Sequence, residues 1–223
     1  MAAQLHGFVV MRSCSWMVLG ILTGCVCFGQ ALSVGVIGGA RASGDLTGAG
    51  ATSVSKRYVF GPALELDLLL GLGVEVNALY RRQGYETSFS NFASSIVAGE
   101  RANSWEFPVL IKYRLPFPLV RPFVEGGYAP RTIRGSITSV NSPLPPLASP
   151  TVRSTAGTNW PVSHGLVAGA GVRFGIGRLR LAPVIRYTHW NNAAISGSYP
   201  DGPAWQSTQN QLDLLVGIGW KIR

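Results

Sequence analysis

At 223 residues the chain suits one domain or at most two small ones, and with 47% hydrophobic and only 13% charged residues it is too apolar to be disordered. A net charge of +9 permits nucleic acid or anionic lipid as a partner. The basic residues are scattered singly rather than clustered, which argues against nucleic acid.

The N-terminal part reads as an export signal. From Met11 it runs MRSCSWMVLGILTGCVCFGQA: a basic residue, an apolar stretch through Cys27, then a small-x-Ala site at Gly29, Gln30 and Ala31. The apolar run is short for a membrane span. The expectation is a signal peptide over residues 1–31, with Met11 as an alternative start, and a mature domain over 32–223. The stretch LTGC, Leu22 to Cys25, also fits a lipoprotein signal that would lipidate Cys25. Cys14, Cys25 and Cys27 all lie in this signal, so the mature chain holds no thiol, disulfide or Cys metal ligand.

Beyond it, apolar residues recur with period two. The alternations are Leu32-Val34-Val36, Tyr58-Phe60-Pro62-Leu64-Leu66-Leu68, Leu72-Val74-Val76-Ala78-Tyr80 and Trp105-Phe107-Val109-Ile111-Tyr113. They continue as Pro122-Val124-Gly126-Tyr128, Leu166-Ala168-Ala170-Val172-Phe174, Leu179-Leu181-Pro183-Ile185-Tyr187 and Leu212-Leu214-Val216-Ile218-Trp220-Ile222. That predicts eight strands and no amphipathic helix. Short connections (LLGLG, PFPLV, GIGR) alternate with long polar ones: Ala42 to Lys56, Glu86 to Asn103, Arg131 to Ser163 and Asn191 to Gln209. The third holds NSPLPPLASP, which cannot be a central strand. Tight turns at one end and long loops at the other predict an all-β fold, an eight-stranded antiparallel up-and-down transmembrane β-barrel. Both termini then lie on the short-turn, periplasmic side.

Outward residues of such a barrel meet lipid. Tyr58, Tyr80, Trp105, Phe107, Tyr128 and Tyr187 fall at the long-loop ends of strands, and Tyr113, Phe117, Phe174 and Trp220 near the short-turn ends. Two aromatic girdles at headgroup level account for this placement. A secreted soluble barrel that fills its core with aromatics, or binds an apolar ligand, is the alternative. Pro62, Pro108 and Pro183 each remove a ladder donor and count against the barrel; bulges could absorb them, but the sequence does not show any.

The opposite parity carries Glu65, Asp67, Glu75, Arg81, Glu106, Lys112, Arg114, Arg121, Glu125, Arg173, Arg180, Arg186, Asp213 and Lys221. In a narrow lumen these charges must pair. Setting Glu75 opposite Lys112 places Arg81 opposite Glu106 and Tyr80 opposite Phe107. Setting Arg186 opposite Asp213 places Leu179 opposite Trp220. Such pairs are favourable across strands. They serve either as packing glue or as a polar conduit, and an eight-stranded lumen favours glue.

Catalytic signals are sparse. The mature chain has His164 and His189 alone, so a metal cluster and a cofactor site are not expected. RYTHWNNA, Arg186 to Ala193, resembles the His-x-Ser-Asn-Ala strand of outer-membrane lipid A deacylases. That resemblance implies a base at His189 followed by Asn192 and Ala193, with Asp213 as the orienting carboxylate. Asn191 stands at the nucleophile position, however, and an amide cannot form the acyl-enzyme. Over nearly the whole mature chain, strand pattern, loop asymmetry and phrases such as RPFVEGGYAP and RLRLAPVIRYTHW resemble the eight-stranded OmpA-type outer-membrane β-barrel family. The resemblance implies an anchoring, adhesive or envelope-stabilising role rather than catalysis. The peptidoglycan-binding domain of the longer relatives is expected to be absent, since the sequence runs only through the barrel, and its last aromatic is Trp220 rather than a terminal Phe. The expected state is a monomer. Its expected partners are outer-membrane lipid, lipopolysaccharide, and the barrel-assembly machinery during insertion. Lys56, Arg57, Arg82, Arg131 and Arg134 sit at the long-loop level, where Arg forks fit the phosphates of lipopolysaccharide.

Overall fold

The computed structural model describes residues 31–90, 94–117, 120–143, 150–197 and 204–222. The expected signal peptide, the Cys25 lipidation pattern and residues 144–149 of the Pro-rich run lie outside these residues, while Ala31 opens the first strand.

Eight antiparallel strands close a ring. They are β1 (Ala31–Arg41), β2 (Tyr58–Asp67), β3 (Leu72–Asn77 continued by Leu79–Ser90) and β4 (Ser94–Glu106 continued by Val109–Arg114). Then follow β5 (Val120–Pro143), β6 (Val152–Ile176), β7 (Leu179–Trp190) and β8 (Asn210–Lys221). Each pairs with its sequence neighbour, and β8 returns to β1 from Ser33↔Lys221 to Arg41↔Asp213. Closure satisfies the backbone groups that hydrocarbon cannot hydrogen-bond. Along β8, Leu214, Val216, Ile218 and Trp220 are exposed while Asp213 and Leu215 are buried, so strand parity separates a lipid face from a lumen face.

The short connections turn by backbone geometry. Between β2 and β3, Leu70 and Gly71 take φ of 59° and 79°. Between β6 and β7, Gly177 has φ 62° as the first of two linking residues, where a type II′ hairpin turn requires glycine.

The register of β7 on β8 is the expected one, with Arg186↔Asp213 and Leu179↔Trp220. On β3 and β4 it differs from expectation by two residues: Glu75 faces Leu110, Arg81 faces Ser104 and Tyr80 faces Trp105. A slip of two preserves every side chain's face, which is why parity alone could not detect it. The three prolines are accommodated without bulges. Register is unchanged across Pro62, between Phe60↔Tyr80 and Ala63↔Asn77, and across Pro108, between Glu106↔Arg131 and Val109↔Tyr128. Their carbonyls still accept hydrogen bonds, from Ala78 N and Asn77 N, each at 3.1 Å, so each proline costs one donor and no bulge. Pro183 likewise lies between Gly171↔Val184 and Phe174↔Leu181 without a shift. The register shift on β5–β6 falls between Trp160 and Ser163, around Pro161.

The largest departure from expectation is strand length. Two stretches expected as long loops, Glu86 to Asn103 and Arg131 to Ser163, are mostly strand. β5 and β6 have 24 and 25 residues, about 80 Å each at ~3.3 Å per residue. A tilted strand crosses hydrocarbon in roughly 10 residues. The upper halves of β3 to β6 therefore stand above the membrane as a polar sheet, paired as far as Ser94↔Pro143.

This upper storey has its own apolar core of Tyr85, Ala102, Ile133, Ala194, Ile195 and Trp205. A small sheet of Leu46–Gly48, Ser196–Gly197 and Trp205–Ser207 lies over it. Trp205 packs on Tyr85 at 5.3 Å between ring centroids, and Ile195 N donates to Ser207 Oγ at 3.1 Å. Loops after β1 and β7 thus cap the barrel mouth. Trp205→Ala, by emptying this core, is expected to cost about 3–5 kcal/mol locally and raise protease cleavage of the cap in intact cells. The membrane part should keep its heat-modifiable migration on a detergent gel. Loss of that migration in Trp205→Ala would show that cap and barrel fold as one unit.

Candidate functional site

The lumen is built by the inward parity of all eight strands, and its charges stack in three tiers. Nearest the short turns, Asp67 meets Arg180 at 2.6 Å, Arg173 at 3.4 Å and Arg114, while Glu65 meets Arg173 and, at 3.9 Å, Arg114. In the middle, Arg186 bridges Glu125 at 2.7 Å and Glu75 at 3.2 Å, and Lys112 joins the same two carboxylates. Asn77 donates to Glu75 Oε1 at 2.8 Å. Above them, Arg81 holds Glu106 through Nε at 2.9 Å and Asp213 through Nη1 at 3.1 Å. Gln211 donates to Asp213 at 2.8 Å and accepts from Trp190 Nε1 at 3.1 Å.

Six carboxylates therefore face six cations, nearly all buried. Removing that much charge from water is tolerable because every ion has at least one opposite neighbour. Between the tiers lie apolar side chains, including Ile37, Val59, Leu79, Phe123, Val184 and Leu215 in one layer and Leu110, Ala129 and Val167 with Trp190 in another.

Pairing follows the lumen rather than the ladder. Arg186 and Asp213 are register partners, yet each bonds to other strands: Asp213 to Arg81, Arg186 to Glu125 and Glu75. A long guanidinium reaches across a narrow barrel as easily as along its wall. Two expected members stand apart from the network. Arg121 is exposed at the short-turn rim beside Phe117, and Lys221 is half-buried without an ion pair among the described residues. At the strand ends, parity no longer implies burial.

Two inward cations were missed by strand parity, because their strands were taken to end sooner. Arg41 closes β1 on the face of Ser33 and Ile37. Arg131, expected on the outer collar, is instead 1% exposed and lies over the Trp190 ring at 3.9 Å. It continues the inward parity of Glu125 and Ala129, and β5 runs on through it to Pro143. In the upper storey, burial pushes the Tyr85 phenol well up, Asp45 adding to it, so the hydroxyl stays protonated and donates to Asp45 O at 3.3 Å.

On the outside, Tyr58, Phe60, Tyr80, Trp105 and Phe107 form a continuous run of ring contacts at 5.3–6.4 Å across β2, β3 and β4. Tyr128 stacks on His164, and the hydroxyls of Tyr80 and Tyr187 donate to Asn103 and Asn210, both at 2.8 Å. At the other end Tyr113, Phe117 and Trp220 are exposed and Phe174 is half-buried. These are the upper and lower belts. Just above the upper one, Lys56 N donates to Arg82 O, and Arg82, Asn103 and Arg134 share one register row. Lys56, Arg57, Arg82 and Arg134 are all exposed.

His189 does not assemble a hydrolase site. Its Nδ1 contacts Asn210 Oδ1 at 2.8 Å on the outer face, whereas Asp213 points inward to Arg81. Asn191 Oδ1 accepts from His164 N, and Asn192 is half-buried. Base and carboxylate lie on opposite sides of the barrel wall.

No family model and no curated protein matches the sequence. Among solved structures the chain is similar to a major outer membrane protein from Thermus thermophilus, at 11% identity and TM-score 0.50, over 87% of this chain and 100% of that one. It is also similar to Neisserial surface protein A (13%, TM-score 0.49, covering 87% and 99%) and to OprG from Pseudomonas aeruginosa (12%, 0.48, covering 87% and 95%). Ring closure, the lipid-facing band and the two belts make this chain an outer-membrane β-barrel.

The tiers make a testable statement about coupling. Asp213→Ala leaves part of the Arg81 charge uncompensated and is expected to cost on the order of 3 kcal/mol in denaturant titration. A double-mutant cycle should show coupling of about 1–3 kcal/mol between Asp213 and Arg81, and under ~0.5 kcal/mol between Asp213 and Arg186. The reverse order would place the pair back on the ladder.

Proposed function

We propose that this protein is a monomeric, non-catalytic surface protein whose barrel is a closed anchor and whose upper sheet is the working face. The observation that carries this reading is a lumen filled by paired charges and covered by an apolar cap, beneath a four-strand polar platform outside the membrane. A passage for solutes would require disrupting both. Residues 1–31 act as the export signal, and the barrel-assembly machinery inserts the mature chain. Purified from membranes, the protein should have an intact mass that begins at Leu32. In planar bilayers it should give no discrete conductance, and wild type and His189→Ala alike should release no acyl chain from lipid A. Stable single-channel steps, or acyl release lost in His189→Ala, would remove this reading in favour of a pore or a hydrolase.

The exposed row above the aromatic belt supports one further element. Lys56, Arg57, Arg82 and Arg134 stand where the outer leaflet carries phosphate, and aromatic rings directly below fix the depth. This collar contacts lipopolysaccharide. Wild type is expected to melt higher in membranes with phosphorylated lipid A than without. Arg82→Gln and Arg134→Gln should each narrow that difference. Equal melting of wild type in both membranes rules the collar out.

A further inference from the structure

Between the start of the loop after β1 and the segment leading into β2 lies a crevice of about 310 Å³, opening outward beside the barrel mouth. Its walls are set by backbone bonds: Arg41 N donates to Arg57 O at 2.8 Å, and Lys56 N to Arg82 O at 3.0 Å. Ser55 is tied to Gly84 through both N–H and C=O, at 2.9 and 3.1 Å. Arg41, Lys56, Arg57 and Arg82 all line this space, and among the described residues none of them makes an ion pair. Arg81, at the inner end, is already neutralised by Glu106 and Asp213.

Arg41 is the decisive member. Its side chain is nearly buried, with a 3.3 Å hydrogen bond from Nε to Ser43 Oγ and no carboxylate in contact. Elsewhere in this barrel buried cations have anionic partners or, for Arg131, an aromatic face. A buried guanidinium facing a polar crevice offers a planar donor fork matched to an oxyanion. Asp45 and Gln83 line the same crevice, and Asp45 Oδ2 and Gln83 Oε1 have no donor among the described residues. A bare phosphate would satisfy the cations and repel Asp45. A ligand carrying both phosphate and hydroxyl groups satisfies both sets.

We infer that this crevice is a binding site for a phosphorylated sugar, with the phosphate on Arg41, Lys56, Arg57 and Arg82 and the sugar hydroxyls donating to Asp45 and Gln83. The volume lies at the lower end of small-molecule sites, which run from roughly 300 to 1,000 Å³. Two sources carry this chemistry: a soluble sugar phosphate, and the phosphorylated saccharide of lipopolysaccharide. The site overlaps the collar on the outer face. It shares Lys56, Arg57 and Arg82 with that reading but depends on Arg41, Asp45 and Gln83, which the collar does not use.

The test uses the full mature protein, refolded in detergent free of lipopolysaccharide, with calorimetric titration of glucose 6-phosphate, glucose and inorganic phosphate. Glucose 6-phosphate should bind more tightly than either fragment. Arg41→Gln and Lys56→Gln should weaken it about tenfold or more, the loss of a charged hydrogen bond. Asp45→Asn should weaken the sugar phosphate while sparing or improving inorganic phosphate. Heat-modifiable migration establishes that each variant is folded, and Lys56→Gln, at an exposed position, reports on the site if Arg41→Gln does not fold. Displacement of bound glucose 6-phosphate by lipid A assigns the site to the lipid saccharide, and retention assigns it to a soluble ester. No binding by folded wild type, or binding unchanged in both Arg41→Gln and Lys56→Gln, overturns the proposal. Arg134→Gln should leave glucose 6-phosphate binding unaltered, so failure of the collar does not bear on this site.

Discussion

Hydrocarbon offers no hydrogen-bond partners to a backbone, and the rest of this molecule follows from that constraint. A sheet crossing a bilayer must close on itself, and closure of eight strands creates a narrow inside and a wide outside. Alternating side chains then divide between two unlike surroundings. On β8 the division is complete within one strand: Leu214, Val216, Ile218 and Trp220 face lipid while Leu215 is buried and Asp213 is buried against Arg81. A charge on the lipid face would cost several kcal/mol near the midplane. The same charge inside is acceptable only with a partner.

This second requirement shapes the lumen. Asp67 alone engages Arg114, Arg173 and Arg180, and Glu75 and Glu125 share Lys112 and Arg186. Each tier draws on several strands, so the tiers cross-link the wall at three heights. Such ion pairs need not make the protein more stable than an apolar filling of equal volume. What they do is penalise misregistered closure, since a slip of one residue would expose these groups to lipid. The apolar layers between tiers, around Phe123 and around Trp190, keep the charged clusters apart.

Above the membrane the constraint relaxes and the architecture changes character. The upper strands of β5 and β6 carry Ser, Thr and Gly on both faces, as in Ser154, Thr155 and Gly157, because neither face sees lipid. Inward, the storey regains an apolar core at Tyr85 and Trp205, and the loops after β1 and β7, the two strands that flank β8, meet over it. The membrane-spanning barrel and the upper storey are one continuous sheet, so the depth of the barrel in the bilayer determines how far the upper strands project.

Strand positions, the alternation of exposed and buried faces and the inward placement of most of the charges were legible in the residues, because lipid and lumen impose opposite chemistry with a period of two. Strand parity identified Glu75, Lys112, Arg186 and Asp213 as inward without any knowledge of their partners. Where the lipid stops, that signal stops too. The polar ends of β3 to β6 therefore read as loops, and Arg131 and Arg41 were respectively misplaced and missed for that reason. Partner choice was not legible either. Arg186 and Asp213 do face each other on the ladder, but which carboxylate a guanidinium reaches depends on barrel width and stagger. Those are properties of the closed ring as a whole. The cationic crevice joins residues 41–46, 53–57 and 81–83 of neighbouring strands, beyond the reach of the lipid signal. The capped mouth arises only when segments distant in sequence meet, residues 46–48 with 205–207 beside the β8–β1 seam. No local pattern encodes that meeting, and only closure of the ring brings it about.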